Sequence, residues 1–302
     1  MLSGEYAVLY GAKAMMMPVP RFLEIAETDR PHEGCLSPVT EMAIRLHIPE
    51  IAEYEAAHGI LQFELDTRSF YNKDVQGKTA KLGLGCSAAE SVAVISIRYL
   101  KAGRSPAHHK EEILKYALAA HKAAQHGLGS GADVAVCTYN EPVRYSLSEQ
   151  EYSLEFVKVK QSEMALQLNL AWTGQPADTR SMVARFQSWY RNGGRRAKDL
   201  AYRLIKTSDA LASSWFNSSK NELFQLLDEF NDAIARCARA AGIPYFLPIH
   251  EEIGEWAERH GGRAKPTGAG GGDMILLIGE LPVGELKRLF IPLQIGRMAT
   301  EA

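Results

Sequence analysis

Lys81-Leu82-Gly83-Leu84-Gly85-Cys86-Ser87-Ala88-Ala89 runs straight into Glu90-Ser91-Val92-Ala93-Val94-Ile95-Ser96-Ile97, a stretch that reads as a helix through Tyr99. Glycines placed just before a helix let the backbone turn sharply and bring bare N–H groups close to a ligand. The helix N-terminus adds unpaired donors and a partial positive charge. Together these features describe an anion site, most commonly a phosphate site. Ser87 then has two uses, capping the helix or ligating a magnesium ion on the phosphate. The plain alternative is a loop-to-helix turn with a serine cap, and this stretch alone leaves both open.

Other glycine-rich segments lie on either side. Gly127-Leu128-Gly129-Ser130-Gly131-Ala132-Asp133 sets a lone acid ahead of the apolar Val134-Ala135-Val136. An Asp held there can accept a proton from an attacking hydroxyl, or it can serve as a helix cap or Asx-turn. Lys265-Pro266-Thr267-Gly268-Ala269-Gly270-Gly271-Gly272-Asp273 places four glycines within five positions, next to the strand Met274–Ile278. So many glycines beside a buried strand mean that something approaches the backbone closely. Near the start, Gly4 and Gly11 punctuate an apolar segment that carries Glu5 beside Tyr6. A carboxylate in such a run is either the buried partner of another group or a ligand contact. Met15, Met16 and Met17 read as core filler.

The 302 residues are 46% hydrophobic and 23% charged, which suits one large globular domain or two packed ones. A net charge of −2 gives no pointer to nucleic acid or an anionic membrane surface. The four cysteines, at 35, 86, 137 and 237, are too widely spaced for a zinc knuckle or a CxxC pair and fit a reducing, cytoplasmic setting. No apolar run reaches membrane-spanning length, and Met1-Leu2-Ser3 does not open a signal peptide. Alternation predicts strands at 61–65, 152–159 and 166–172. Helical spacing predicts helices over 106–126, about 178–192, 197–216, 219–241 and 249–260. Residues 66–78 read as a polar loop or an irregular edge, and 20–60 are poorly readable. A composition shift near 145–150 suggests two domains, 1–150 and 151–302.

The glycine segments, taken in order, resemble the motifs of the GHMP kinases, the superfamily of galactokinase, homoserine kinase, mevalonate kinase and phosphomevalonate kinase. The first motif is Gly4-Glu5-Tyr6-Ala7-Val8-Leu9-Tyr10-Gly11, the second Gly83–Ala89 and the third Lys265–Asp273. Within the superfamily the phosphomevalonate kinases match best. Lys81–Gly85 is similar to their Lys-Thr-Gly-Leu-Gly. His121-Lys122-Ala123-Ala124-Gln125 with Gly129-Ser130-Gly131-Ala132-Asp133-Val134-Ala135 and Tyr139 is similar to their His-x-x-Ala-Gln, Gly-Ser-Gly-x-Asp-Val-Ala and Tyr run. Ala171-Trp172-Thr173-Gly174 also has a counterpart there.

The resemblance implies an α/β (α+β) fold. Its N-terminal ATP-binding half would resemble the second domain of ribosomal protein S5, its C-terminal half would be ferredoxin-like, and the active site would lie between them. It implies ATP and Mg²⁺ as cofactors and a small phosphorylated mevalonate-type acid as substrate, with no nucleic-acid or membrane partner and either a monomer or a homodimer. Gly83, Leu84, Gly85, Cys86, Ser87 and Ala88 would wrap the ATP phosphates, with Ser87 at the metal. Asp133 and Lys81 would be catalytic. Glu5, Tyr6, Ser130, Gly131, Arg144, Gly268, Ala269 and Gly270 would face the acceptor. Lys73, Arg68 and Arg180 are further candidates for the acceptor's phosphate. The implied reaction gives 5-diphosphomevalonate from 5-phosphomevalonate. The alternatives are a mevalonate kinase, a diphosphomevalonate decarboxylase-like enzyme, or a ligand-binding protein without turnover. Three departures from the pattern stand out. The family's Pro-Gly-Lys stands a few residues ahead of the first motif, a position before Met1; either the true start lies upstream, or a different Lys, Lys13 or Lys81, stands in, or activity is weak. Cys86 replaces a usual Ser. Lys122 stands where mevalonate kinases carry a magnesium-binding acid.

Overall fold

The computed structural model describes residues 1–29, 36–59, 62–148, 151–158, 167–286 and 288–293. In chain order the strands are β1 (Ala14–Met16), β2 (Glu24–Glu27), β3 (Phe63–Asp66), β4 (Tyr71–Lys73), β5 (Thr79–Lys81), β6 (Val143–Ser148), β7 (Glu151–Phe156), β8 (Leu168–Trp172), β9 (Arg263–Pro266), β10 (Met274–Ile278) and β11 (Phe290–Pro292). The helices are α1 (Pro38–Arg45), α2 (Ala52–His58), α3 (Cys86–Lys101), α4 (Lys110–Ala124), α5 (Ala132–Tyr139), α6 (Thr179–Asn192), α7 (Gly194–Ser214), α8 (Lys220–Ala241) and α9 (Pro248–Arg259). This is the mixed α/β architecture expected from the sequence. Among the described residues no helix is long and apolar enough to cross a membrane. The elements pack into two compact units. The first takes segments 1–20, 72–84 and 141–302, the second 21–71 and 85–140.

The first unit is built on an antiparallel sheet in the order β11-β8-β10-β9. Leu276 pairs with Leu170 and Ile275 with Pro266. Successive side chains on a strand point to opposite faces, and here both faces are covered. Leu168, Leu170, Trp172, Met274, Leu276 and Ile278 enter a core with Phe186, Leu204, Phe230 and Ile234 from α6, α7 and α8. Ala171, Ile275 and Leu277 pack instead on Ile253 and Ala257 of α9. Burial on two sides is why β10 is apolar at every position. The long α8 starts on a capping box, Ser219 with Glu222, and ends at Gly242 in the left-handed region, so both ends have their orphan groups met. A second sheet, β1-β6-β7, carries the methionine run, and Met15, Met16 and Met17 are buried as expected.

In the second unit α1, α4 and α5 pack around α3, while β2 pairs antiparallel with β3. Buried Arg98 on α3 is met by the Glu55 carboxylate at 2.7 Å and by the carbonyls of Ala43 and Leu46 at 2.6 and 2.9 Å. A guanidinium taken from water is tolerable only with such partners.

Several local expectations change. The helix after the first glycine turn begins at Cys86, so Ser87 lies inside its first turn. The expected 106–126 helix is two pieces: a short 3-10 turn over Pro106–His108 and then α4, with His109 extended in φ between them. Asp133 sits on a helix, α5, that glycine-rich flanks hid from the sequence pattern. Segment 66–78, read as a loop or an irregular edge, holds a 3-10 turn over Arg68–Phe70 and the short β4, which pairs with β5. Residue 61 at one expected strand's start, 159 and 166 at the ends of two others, and Cys35 lie outside the described residues.

Candidate functional site

The stretch 81–89 is divided between the units, Lys81–Leu84 in the first and Gly85–Ala89 in the second. Each unit therefore holds part of the expected machinery.

In the first unit the first and third motifs form one packed body. Glu5 and Lys265 are an ion pair whose side chains are both fully buried. The Lys265 ammonium also donates to the Pro266 carbonyl at 2.8 Å. Burial lowers the Lys265 pKa, and the Glu5 carboxylate pulls it back up. Next to it, Tyr6 stacks on Phe186 and donates its hydroxyl to the Ala269 carbonyl at 2.7 Å. Glu5 is thus the buried partner of another group, one of the two alternatives its apolar setting allowed.

The third loop's glycines are approached closely, and the approach comes from the protein itself. The Tyr245 ring lies against Gly270, the Met182 methyl against Gly271 and the Gln175 carbonyl against Gly272, while Gly268 faces open space. The loop ends at Asp273, whose carboxylate accepts from the Ala177 N–H at 3.1 Å. Burial pushes the Asp273 carboxyl up to about 6.

Gly83 sits directly on that carboxyl, with φ at +73°, and a Cβ there would overlap the Asp273 side chain. Gly103 has the same φ with open space around it, which makes it a control. Gly83→Ala is expected to destabilise by about 3 kcal/mol and Gly103→Ala by about 1 kcal/mol. Thermal unfolding checks this, and equal effects would remove the Asp273 contact from the account.

Lys81 is exposed at the end of β5. Arg144 is engaged internally: its Nε donates to the Ala212 carbonyl at 2.9 Å and its Nη1 reaches Glu155 at 2.5 Å. Lys73 is exposed and donates to Thr79 at 3.0 Å. Arg68 is exposed and pairs with Asp66. The Lys13 backbone is pinned, its N–H to Asp209 at 2.7 Å and its carbonyl to Ser208 at 2.9 Å.

In the second unit two helix starts are brought together. Gly85, left-handed, opens α3, and Gly131, also left-handed, opens α5. The Asp133 Cβ is 3.8 Å from where a Gly85 side chain would begin. Asp133 is half-buried, and its Oδ1 accepts from the Val134 N–H at 3.1 Å. Ser130 accepts from the Ala132 N–H at 3.3 Å. The first turn of α3 offers donors and partial positive charge to an anion; in α5 the Ala132 and Val134 N–H groups are taken within the turn, which leaves the partial positive charge of the helix start with a carboxylate beside it.

Ser87 is half-buried in the first turn of α3. Glu90, one turn on, is buried and accepts from the Ser37 hydroxyl, from Thr40 at 3.2 Å and from the Cys86 thiol at 3.2 Å. No group of three or more His, Cys, Asp or Glu able to hold a metal occurs among the described residues. A magnesium ion carried on nucleotide phosphates keeps most of its oxygen ligands from phosphate and water, so one Ser87 hydroxyl fits that demand.

Sequence reading did not single out Glu90, Lys265 or Asp273, which the structure shows as buried or partly buried polar groups beside the motif residues. Lys265 and Asp273 stood at the two ends of the third motif. The signal for Lys265 was a lone cation flanking an apolar strand while Glu5 stood as a lone anion in another.

No protein-family model matches the chain. Among curated proteins, it is 28% identical to a phosphomevalonate kinase of a Streptomyces species over 214 residues, 64% of this chain and 56% of that protein. It is 27% identical to the phosphomevalonate kinase of Saccharolobus solfataricus over 226 residues, 72% of this chain and 66% of that one. The chain therefore spans between about half and two thirds of the length of these relatives. Among solved structures, a Listeria innocua protein superposes with a TM-score of 0.79 at 20% identity, covering 98% of this chain and 95% of that one. The phosphomevalonate kinase of Streptococcus pneumoniae, in complex with phosphomevalonate and AMPPNP, superposes with a TM-score of 0.70 at 18% identity, covering 92% and 89%. The fold is that of the GHMP kinases, and the resemblance to phosphomevalonate kinases read from the motifs is matched by these relatives.

Proposed function

We propose that this chain is an ATP-dependent kinase that phosphorylates 5-phosphomevalonate to 5-diphosphomevalonate, in the cytoplasm, in isoprenoid precursor synthesis. The observation that carries the reading is the pairing of the α3 and α5 helix starts around Asp133, in a fold shared with named phosphomevalonate kinases. In this reading residues 1–150 are the ATP-binding half and 151–302 the second half of the kinase fold.

The reaction breaks the bond between the γ-phosphorus and the oxygen bridging it to the β-phosphate. It forms a bond from that phosphorus to an oxygen of the acceptor's phosphate, and ADP leaves. Such transfer needs positioning and charge neutralisation more than covalent chemistry. Gly83–Ala88 cradle the nucleotide phosphates with backbone N–H groups. Ser87 would hold a magnesium ion against the nucleotide phosphates, and the ion would supply further positive charge. Lys81 supplies a cation of the protein's own. Asp133 orients the acceptor, or takes its proton where one is present. Ser130, Gly131 and the Gly268–Gly270 turn shape the acceptor's surroundings. Glu5 and Tyr6 act from beneath that turn, through Lys265 and the Ala269 carbonyl.

Mevalonate kinase is the second reading, since the chain also superposes on the L. major mevalonate kinase in complex with R-mevalonate, at a TM-score of 0.68 and 18% identity. ADP release from Mg-ATP, with mevalonate, 5-phosphomevalonate and 5-diphosphomevalonate offered separately, decides between them. Turnover is expected with 5-phosphomevalonate. Turnover with mevalonate alone would move the assignment to the second reading. ATP binding without turnover on any of the three would leave a ligand-binding protein.

A further inference from the structure

We propose that Asp273 is a positioning residue for the nucleotide loop: its carboxyl is the seat of Gly83 and sets its charge against the phosphates that loop holds, so that nucleotide binding takes up a proton there; the inference rests on the kinase reading above. Asp273 is held at three points by one loop. Its N–H donates to the Gln175 carbonyl at 2.7 Å, its carbonyl accepts from the Thr173 N–H at 2.8 Å, and its Oδ1 accepts from the Ala177 N–H at 3.1 Å. That loop is braced in turn. Thr173 Oγ1 accepts from the Gln175 N–H and donates to the Gln175 carbonyl, both at 3.1 Å, and the Thr173 carbonyl accepts from Arg288 Nη1 at 3.0 Å. These bonds keep Asp273 at a φ of +52°, in the left-handed region that Asp tolerates better than most side chains.

The fixed carboxyl lies directly against Gly83. A Cβ on Gly83 would overlap Asp273 Cγ and Oδ2, so the first glycine of the nucleotide loop meets the acid with a bare Cα. The β4–β5 hairpin that leads into Gly83 is tied at its tip as well. Val75 donates its N–H to the Gly174 carbonyl at 3.4 Å, and its side chain lies against Gly174. The hairpin, the 173–177 loop and the third motif are therefore one connected set, all within the first unit.

The charged and titratable groups on the surrounding elements do not offset this acid. Asp178, at the head of α6, accepts from the Ser181 N–H at 3.1 Å, and Arg180 beside it is exposed. On the hairpin Asp74 accepts from the Gln76 and Lys78 N–H groups, Lys73 donates to Thr79, and Lys78 and Lys81 are exposed. Arg288 is used by the Thr173 carbonyl, and Lys265 is paired with Glu5. His250 on α9 is held down to about 4, by burial first, and so stays neutral around pH 6 and above. Burial raises the Asp273 carboxyl to about 6 and the Ala177 N–H pulls it down; among the described residues no charged neighbour contributes.

An anion under Gly83 opposes phosphates arriving on the same loop. By reciprocity the phosphates oppose its ionisation, so nucleotide binding raises the affinity of Asp273 for a proton. The same acid gives the free protein a pH dependence of known sign. The folded carboxyl holds its proton more tightly than the unfolded one. Its contribution to stability is therefore complete below about pH 4 and is lost as pH rises through about 6.

The test compares the full chain with Asp273→Asn, which keeps the shape, an acceptor for the Ala177 N–H and the left-handed turn but carries no charge. Mg-ATP binding, without acceptor, is measured by calorimetry between about pH 5.5 and 7.5 in two buffers of different ionisation enthalpy. A like charge that raises the carboxyl by about one pH unit makes the wild-type Kd rise about fivefold over this range, with about half a proton taken up per nucleotide near pH 6.5. Asp273→Asn is expected to show neither effect and to bind Mg-ATP about fivefold more tightly than the wild type at pH 7.5. The nucleotide's own titration is common to both proteins and cancels in the comparison. Thermal midpoints without nucleotide give a second readout: between about pH 4 and 7 the wild type should lose stability relative to Asp273→Asn. Equal pH dependence and equal proton uptake in the two proteins would overturn the proposal. So would an Asn variant whose affinity for Mg-ATP falls in step with its midpoint, which would leave Asp273 a packing residue. A wild type that binds no Mg-ATP would sink the kinase reading and this inference with it, whereas binding without a difference from Asp273→Asn sinks this inference alone.

Discussion

Asp133→Ala is expected to lower turnover of 5-phosphomevalonate by about 1,000-fold while the affinity for Mg-ATP stays within about threefold. The expectation rests on position. Asp133 lies in the first turn of α5, half-buried, with its Cβ beside the opening of α3. A carboxylate placed next to two electropositive helix starts is poorly suited to binding an anionic nucleotide, because like charges repel. It is well suited to meeting the acceptor at the moment of transfer. Removing it should therefore change kcat and leave nucleotide binding in place. Asp133→Asn separates its two possible duties. If the carboxylate only orients, the amide of nearly the same shape should retain a tenth or more of the wild-type rate. If it accepts a proton, Asn should be as poor as Ala. Single-turnover kinetics with nucleotide-binding titrations would read both. Wild-type turnover in Asp133→Ala would remove this residue from the mechanism, and nucleotide binding lost in step with turnover would move it to the ATP site.

The sequence disclosed elements whose pattern is local. β10 was legible with both of its ends, because five apolar residues lie between a glycine loop and a turn. The bounds of α6, α8 and α9 came within a residue or two, since each lies between local breakers: Asp178 and Gly193 for α6, Ser219 and Gly242 for α8, Pro248 and Gly261 for α9. The helix carrying Asp133 was not legible. Its eight residues follow three glycines, and its apolar Val134-Ala135-Val136 is compatible with strand or helix. The glycines at 270–272 showed that something comes close, but not that Tyr245, Met182 and Gln175 are what comes. Within the site, the motif residues were nameable because they are contiguous. The couplings between them were not, because they are made by tertiary packing: Glu5 finds Lys265 across 260 positions of sequence. His121 and Gln125 stand in a recognisable motif, yet only the packing of α4 against α5 brings the His121 ring to 3.8 Å from Asp133.

The long-range pair of Glu5 and Lys265 carries the second large effect. Lys265→Met is expected to destabilise the protein by about 3–5 kcal/mol, because it leaves the Glu5 carboxylate buried without its cation. In a chain of this size the thermal midpoint should fall by roughly 6–15 °C. Glu5→Leu should do the same from the other side, stranding the Lys265 ammonium beside the ring of Phe230, 5.7 Å away. The double substitution Glu5→Leu with Lys265→Met should be much milder than either single one. Desolvating two charges offsets most of what their attraction returns, and an apolar pair of similar volume is often neutral or stabilising. Additive losses in the double variant would show that the site is held by shape rather than by charge. The double variant also makes a functional test possible, since it is expected to fold. Lys265 continues into Pro266, and Tyr6, next to Glu5, holds the Ala269 carbonyl at 2.7 Å. The pair therefore fixes the first motif under the third glycine turn. If that register matters for the acceptor, the double variant should keep its thermal midpoint and its affinity for Mg-ATP while KM for 5-phosphomevalonate rises by about tenfold. A double variant with wild-type stability and wild-type kinetics would reduce the ion pair to one packing solution among several.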